Sequence, residues 1–389
     1  MKPHHILFFL LLLAASVHDV EAKKNATLSA AEAAKCAEEL RQAWLDSVRV
    51  AMNDAFSSQV LQIDTLTMPL HWSVYGEAPA DGYSLYISLH GGGGAAPEVN
   101  DSQWRNQWRL YHPDSSVYLC PRALVNAWNM HFITESDLFY QRIIHMAVAC
   151  MGVNHDKVYL MGYSAGGDGV WRLAPRMADS WAAASMMAGH PGDVSLLGLR
   201  NTPFMIWCGA QDAAYERNKR CAERILEMDS LQHADAGGYV HEGHILEGKG
   251  HWMNLEDARA VEWMARFRRN PYPDRVVWVQ GDAMRSHFYW LTAPDDEQKK
   301  GMTVRADIVK SADGKPLNII RISQCDYSNL TLSLNDRMVN LDNPIRVEYK
   351  GKTIFKGRLH RSAQTLRRTL WQRGDPSYAF PAQLKVTLN

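Results

Sequence analysis

The stretch KVYLMGYSAGGDGVW, residues 157–171, constrains the fold more than any other part of the chain. A short apolar run reads as a buried strand, a sharp turn surrounds Ser164, and a helical stretch follows at once. Gly162 and Gly166 stand two residues either side of the serine. A serine at the tip of so tight a turn needs strained backbone angles and close approach of strand and helix, which side chains at the ±2 positions would block. The turn lifts the hydroxyl clear of a sheet. It also leaves the Ala165 N–H at the positive start of a helix, where it can stabilise an oxyanion. An ordinary tight turn is the bland alternative, and the strand before and helix after favour a nucleophile over it.

A second glycine stretch, HGGGG at 90–94, also follows an apolar strand. Gly91, Gly93 and Ala96 formally satisfy a dinucleotide fingerprint, with Asp114 near the place of a ribose-binding acid. Such a fingerprint opens a helix in the first strand–helix unit, whereas Pro97 and the polar residues after it make a weak helix start here. No Gly-Lys-Ser/Thr follows, so a phosphate loop fits no better. The remaining reading is a loop of bare amides facing a developing negative oxygen, which requires a serine elbow downstream. One is present.

A serine hydroxyl needs a base, and the base needs an acid to hold its tautomer. In the order Ser, Asp, His, Asp212 follows the strand FMIWCG, and His251 follows YVHEGHILEG in GKGH. Both fall at expected carboxyl ends of strands, and Gly250 is expected to let the histidine loop come close. Asp193 and Asp235 are the rival acids. His241 and His244 sit within an alternating strand, where structural histidines are the better account. His190 is a candidate pocket residue.

Strands and helices alternate from about residue 60 to 268, which implies an α/β fold: a mostly parallel sheet with helices on both faces. Before it, Ser29 and Glu32 form a capping-box pair, and Cys36, Leu40, Trp44 and Val48 mark one face of a long helix. Pro271 and Pro273 end the alternation. Beyond them Leu330, Leu332 and Leu334, then Ile345, Val347 and Tyr349, then Leu384, Val386 and Leu388 repeat with period two. A smaller C-terminal β-rich domain of half-buried antiparallel strands is expected over 271–389, with one helix near 362–372, after a catalytic domain over 23–270.

With the four motifs together, the segment from about 60 to 268 resembles the α/β-hydrolase superfamily. HGGGG, GYSAGG, GAQD and GKGH are similar to those of secreted esterases of the polyhydroxybutyrate depolymerase and feruloyl esterase type. The resemblance implies Ser164 as nucleophile, His251 as general base and acid, and Asp212 as its orienting partner. It implies oxyanion donors at the amides of Ala165 and of Gly91 or Gly92. Gly167 and Asp168 depart from the usual elbow. That chemistry requires no metal and no organic cofactor. A serine peptidase of the same fold is the alternative, and a non-catalytic carbohydrate-binding protein a more distant one.

The apolar run ILFFLLLLAA after Lys2, His4 and His5, with VEA at 20–22, reads as a signal peptide over residues 1–22. It is shorter than the roughly 20 residues needed to span a bilayer, and no later stretch is long and apolar enough to do so. A secreted or periplasmic protein is therefore expected. Lys plus Arg and Asp plus Glu each number 42, so no basic excess argues for nucleic acid. The six cysteines are widely spaced without a CxxC pair, which points to neither zinc nor a dense disulfide framework. Sequons stand at Asn25, Asn100 and Asn329. Export favours an ester met outside the cytoplasm, free or linked to a polysaccharide or polyester. Trp104, Trp108 and Trp128, between the two glycine stretches, are candidate stacking platforms for it, and packing under a long loop accounts for them at least as well.

Overall fold

A computed structural model describes residues 27–388. The expected signal peptide and the sequon at Asn25 lie outside the described residues. Helix α1 (Ala30–Ser58) starts with the capping box: Glu32 N–H donates to Ser29 Oγ at 3.2 Å, and Ser29 N–H donates to the Glu32 carboxylate at 2.8 Å. Of its four-residue stripe, Trp44 and Val48 are buried and Cys36 and Leu40 half-buried.

Eight strands form one sheet: β1 (Val60–Ile63), β2 (Leu66–Tyr75), β3 (Tyr83–Leu89), β4 (Ser116–Pro121), β5 (Val153–Tyr163), β6 (Ala183–Met187), β7 (Phe204–Gly209) and β8 (His241–Leu246). Their order is β1-β2-β4-β3-β5-β6-β7-β8. β1–β2 and β2–β4 pair antiparallel, and every pairing from β4 to β8 is parallel. The central strands are buried on both faces, which explains their nearly unbroken apolar runs. Leu85, Ile87 and Leu89 point into one core with Val158, Leu160 and Ile206. Tyr86, Tyr159, Met161 and Trp207, one residue out of phase, build the core on the opposite face.

Helices α2 (Pro97–Gln107), α3 (Ser136–Met151), α4 (Ala165–Arg176), α5 (Arg217–Ala234) and α6 (Arg259–Met264) connect the strands. Side chains of α3, α4 and α5 join the first core, and those of α6, with Trp104 and Trp108, join the second. Two elements differ from the sequence reading. The stretch after Pro97 does form a helix, because proline at the first helical position gives up only an amide that has no partner there. The stretch LEDARAVEWMARF, which reads as one helix, forms only the short α6, since Asn254 and Leu255 adopt left-handed backbone (φ 56° and 62°) and delay its start.

After Pro271 and Pro273 come two smaller sheets. One contains β9 (Arg275–Val279), β12 (Thr303–Lys310), β13 (Pro316–Cys325), β15 (Ile345–Tyr349) and β16 (Lys352–Gly357). The other contains β10 (His287–Phe288), β11 (Leu291–Thr292), β14 (Asn329–Leu334) and β17 (Ala382–Thr387). The period-two leucines of β14 are buried with Ile345 and Val347 in one apolar core. β13 and β15 pair parallel, where antiparallel strands were expected. Helix α7 (Ala363–Arg373) is capped by Ser362 and packs Leu366 and Leu370 against Trp44 of α1. The last hundred residues thus clasp the first helix.

Arg269 fastens this region to the large sheet. Its guanidinium meets Asp375 at 2.5 Å and Asp156 at 2.9 Å, and donates to the Asp179 carbonyl at 3.1 Å. Burial pushes the Asp375 carboxyl up, but the facing guanidinium outweighs it and holds the group well below the usual carboxylate range. Removing the arginine leaves a buried carboxylate without its countercharge. Arg269→Met is expected to destabilise the protein by about 3–5 kcal/mol, read as a lower urea midpoint in equilibrium unfolding.

Candidate active site

The elbow is built on contact too close for side chains. Ser164 sits at φ 58°, ψ −120°, a conformation that ordinary L-residues avoid. A Cβ on Gly166 would lie 2.0 Å from the Leu89 carbonyl oxygen, and one on Gly162 would lie 2.5 Å from that of Gly166. The start of α4 therefore rests directly on the end of β3, which brings the HGGGG loop to the serine. Gly167, the departure from the usual elbow, is pressed against the Met187 carbonyl in the same way.

Three side chains from three strand ends converge there. His251 Nε2 lies 2.9 Å from Ser164 Oγ, and its Nδ1 lies 2.7 Å from Asp212 Oδ2. Asp212 is buried, whereas the imidazole is 44% exposed. With a carboxylate at Nδ1, that nitrogen carries the proton and Nε2 is free to accept one from the serine. The rivals are engaged elsewhere. Asp193 pairs with Arg172 and Lys300, and Asp235 with Arg200 and Arg275. His241 bonds Tyr239 and Asp229, and His244 stacks on Trp207 at 4.0 Å.

The histidine loop approaches closely, but at a different glycine from the one expected. A Cβ on Gly250 would touch nothing within 4 Å, while one on Gly209 would lie 2.1 Å from the Gly250 carbonyl. The small residue is needed at the end of β7, under the loop, because the loop's backbone faces that strand. Tyr163 ties the same loop to the elbow. Its hydroxyl donates to the His251 carbonyl at 2.6 Å and accepts from the Met253 N–H at 3.0 Å.

In the glycine loop, Gly92 and Gly93 have φ of 123° and 120°. Asn100 holds the loop: its side chain accepts from the Gly93 N–H at 3.1 Å and donates to the Gly93 carbonyl at 3.0 Å. The Gly93 amide is thereby occupied. Among the described residues no hydrogen-bond acceptor engages the N–H of Gly91, Gly92 or Ala165. Buried His90 accepts from the Ala123 N–H and contacts the Gly91 carbonyl, so both ring nitrogens serve the loop. Burial, chiefly, keeps this imidazole neutral.

The predicted platforms fare differently. The Trp104 indole donates to the Cys120 carbonyl at 2.9 Å, and Trp108 stacks on His71 at 3.8 Å, so both rings are committed to packing. Trp128 is 66% exposed. Trp252, beside the histidine, and Tyr215, three residues beyond Asp212, are exposed by 48% and 76%. These two were not singled out in the sequence. Their signal was adjacency to the candidate acid and base.

Asp168 occupies the next turn of α4 after Ser164, its N–H donating to the Ser164 carbonyl at 3.0 Å. Its carboxylate accepts from the His190 N–H at 2.6 Å, and His190 Nδ1 accepts from the Gly192 N–H at 3.1 Å. His190 therefore joins the site through its backbone. Burial raises the Asp168 carboxyl to about 6, opposed by that hydrogen bond and by Arg217, His251 and Arg172.

No protein-family model matches the chain, and no curated protein matches it. Among solved structures, a thermostable esterase is similar at 19% identity over 54% of this chain and 62% of its own length, with a TM-score of 0.42. The chain thus spans just under two thirds of that esterase. Est1E of Butyrivibrio proteoclasticus is 15% identical over 53% of this chain and 97% of its own, with a TM-score of 0.36. A phospholipase/carboxylesterase of Dyadobacter fermentans is 16% identical over 52% and 99%, with a TM-score of 0.37. The fold itself is read from the chain's own strand order, with the serine elbow after β5, Asp212 after β7 and His251 after β8. It is the α/β-hydrolase fold, extended by two C-terminal sheets.

A carboxyl raised on folding contributes most to stability below its unfolded pKa, and that contribution is lost as pH rises through the folded value. Asp168 therefore weighs against the fold above about pH 6. Asp168→Asn keeps an acceptor for the His190 amide and removes the charge. It is expected to raise stability by up to about 3 kcal/mol at pH 8 and to leave it nearly unchanged at pH 4, measured as Tm by calorimetry at the two pH values.

Proposed function

We propose that the chain is an exported serine hydrolase that cleaves carboxylic esters through an acyl-enzyme. The reading is carried by one contact: Ser164 Oγ lies 2.9 Å from an imidazole nitrogen whose partner nitrogen is held by a buried carboxylate. Ser164 is the nucleophile, His251 the base and acid, and Asp212 the group that orients His251. Ser164 Oγ attacks the ester carbonyl while His251 Nε2 takes its proton. The oxyanion rests on the amides of Ala165 and of Gly92 or Gly91, which have no competing acceptor, whereas that of Gly93 is taken by Asn100. Collapse of the tetrahedral adduct breaks the C–O bond, and the imidazolium returns its proton to the departing alcohol. Water, deprotonated by His251, then attacks the acyl carbon and releases the acid and Ser164.

An open site with exposed rings suits a large substrate better than a small lipid ester. Trp128 follows β4, with its backbone beside Gly94 of the glycine loop, and Tyr215 and Trp252 stand on the loops that carry Asp212 and His251; their flat faces suit pyranose or aromatic rings. A polar cavity of about 450 Å³ beside His190, lined by Glu216, Arg220, Glu223 and Arg224, offers donors and acceptors to hydroxyl groups. A polysaccharide-linked ester is the substrate class that fits these features and the signal-like N-terminus.

The protein is expected to hydrolyse p-nitrophenyl acetate, and Ser164→Ala to lower kcat by at least about 10⁴-fold with an unchanged circular dichroism spectrum. A panel of acetyl, feruloyl, glucuronoyl and polyester substrates then ranks the acyl and alcohol parts. Absence of turnover across the panel, together with no labelling by a fluorophosphonate, would refute the reading. Peptide cleavage without ester preference would turn it into a peptidase.

A further inference from the structure

Arg217 is the first residue of α5 and follows two left-handed residues, Tyr215 and Glu216 (φ 55° and 56°). This backbone turns its side chain inward, where it is 12% exposed and lies under the Tyr215 ring at 4.9 Å. Its Nη1 lies 3.5 Å from Asp212 Oδ1, the oxygen that His251 leaves unused. A second carboxylate, Asp168, lies one turn into α4 from Ser164, its N–H on the Ser164 carbonyl at 3.0 Å, and both His251 and Arg217 act on its charge. His251 therefore has two carboxylates and one guanidinium around it.

The remaining charged groups nearby are spoken for. Arg172 pairs with Asp193 and Asp282 at 2.8 Å each, Arg220 with Glu216 and Glu223, and Arg224 with Glu227. Burial pushes the Tyr163 phenol up, and a hydrogen bond with Cys208 together with burial does the same to the Cys221 thiol, so both stay neutral. The His190 imidazole is pushed down, by burial first and then by the arginines, and is neutral at neutral pH. Asp257 accepts a hydrogen bond from the Tyr111 hydroxyl, and burial holds its carboxyl up.

We propose that Arg217 and Asp168 are a charge-compensating pair of positioning residues: Arg217 steadies the second oxygen of Asp212 and offsets Asp168, so that His251 stays neutral and ready to accept the Ser164 proton. The inference rests on the serine-hydrolase reading. Without Arg217, two carboxylates face the imidazole uncompensated, and they favour the protonated ring that cannot take the serine proton. Without Asp168, the guanidinium is in excess and the ring loses its proton more easily. The two removals push in opposite directions, which loss of packing alone does not do.

The test is the pH dependence of inactivation by a fluorophosphonate, with the His251 ring resonances followed by NMR across the same range. Arg217→Met is expected to move the midpoint of the acid limb up by about one pH unit, and Asp168→Asn to move it down by a similar amount. Arg217→Lys, which restores the charge, is expected to return most of the shift. Circular dichroism checks that each variant is folded, and Asp168→Asn stands as an independent arm should Arg217→Met not fold. Unmoved midpoints, or shifts of the same sign in both variants, overturn the pair. If the wild-type protein is never labelled, the hydrolase reading fails, and the NMR midpoints still decide whether the charges act on His251.

Discussion

The site depends on a backbone contact between the start of α4 and the end of β3. Because Gly166 presses on the Leu89 carbonyl, the helix can begin immediately after the serine, and the serine is forced into its left-handed conformation. The same contact sets the HGGGG loop beside the hydroxyl. An alanine at 166 would separate strand from helix and carry the amides of Gly91 and Gly92 away from the Ser164 hydroxyl. The rest of the site is organised around this junction, with Tyr163 fastening the histidine loop to it and Asn100 fastening the glycine loop.

Several strained residues lie at the edge where the strands of the large sheet end. Ser164, Tyr215, Glu216, Asn254 and Leu255 all adopt left-handed backbone without being glycine. Such positions persist only where surrounding packing outweighs their cost of about 1–3 kcal/mol each. The double-sided cores beneath the sheet supply that packing, and the strained loops direct outward an exposed tyrosine next to the acid and inward the arginine that meets it. The added C-terminal sheets stand apart in role. Through Arg269 and helix α7 they brace the hydrolase body and the first helix.

Much of this was legible in one dimension because it follows from periodicity and from glycine. Strands buried on both faces read as apolar runs, the leucines of β14 alternate, and Ser29 with Glu32 announces a helix start. Ser164, Asp212 and His251 stand out because each follows such a run. What escaped notice lacked a local signature. Asn100 reads as a glycosylation sequon, yet it is buried and holds the glycine loop. Trp104 and Trp108 resemble exposed platforms but pack inward, while Tyr215 and Trp252 are open. Arg217 is one basic residue among several in its segment, and only its neighbours distinguish it.

The sequence by itself determined the alternation of strands and helices, the sharp turn at Ser164 and the places of Asp212 and His251 just after apolar runs, because these depend on residues close together along the chain. The tertiary structure alone decided which glycine makes room for the histidine loop, which loop amides remain unoccupied and which charges surround His251. Those outcomes depend on atoms brought together from strand ends far apart in sequence, where contact distance and burial, rather than residue type, set what each group can do.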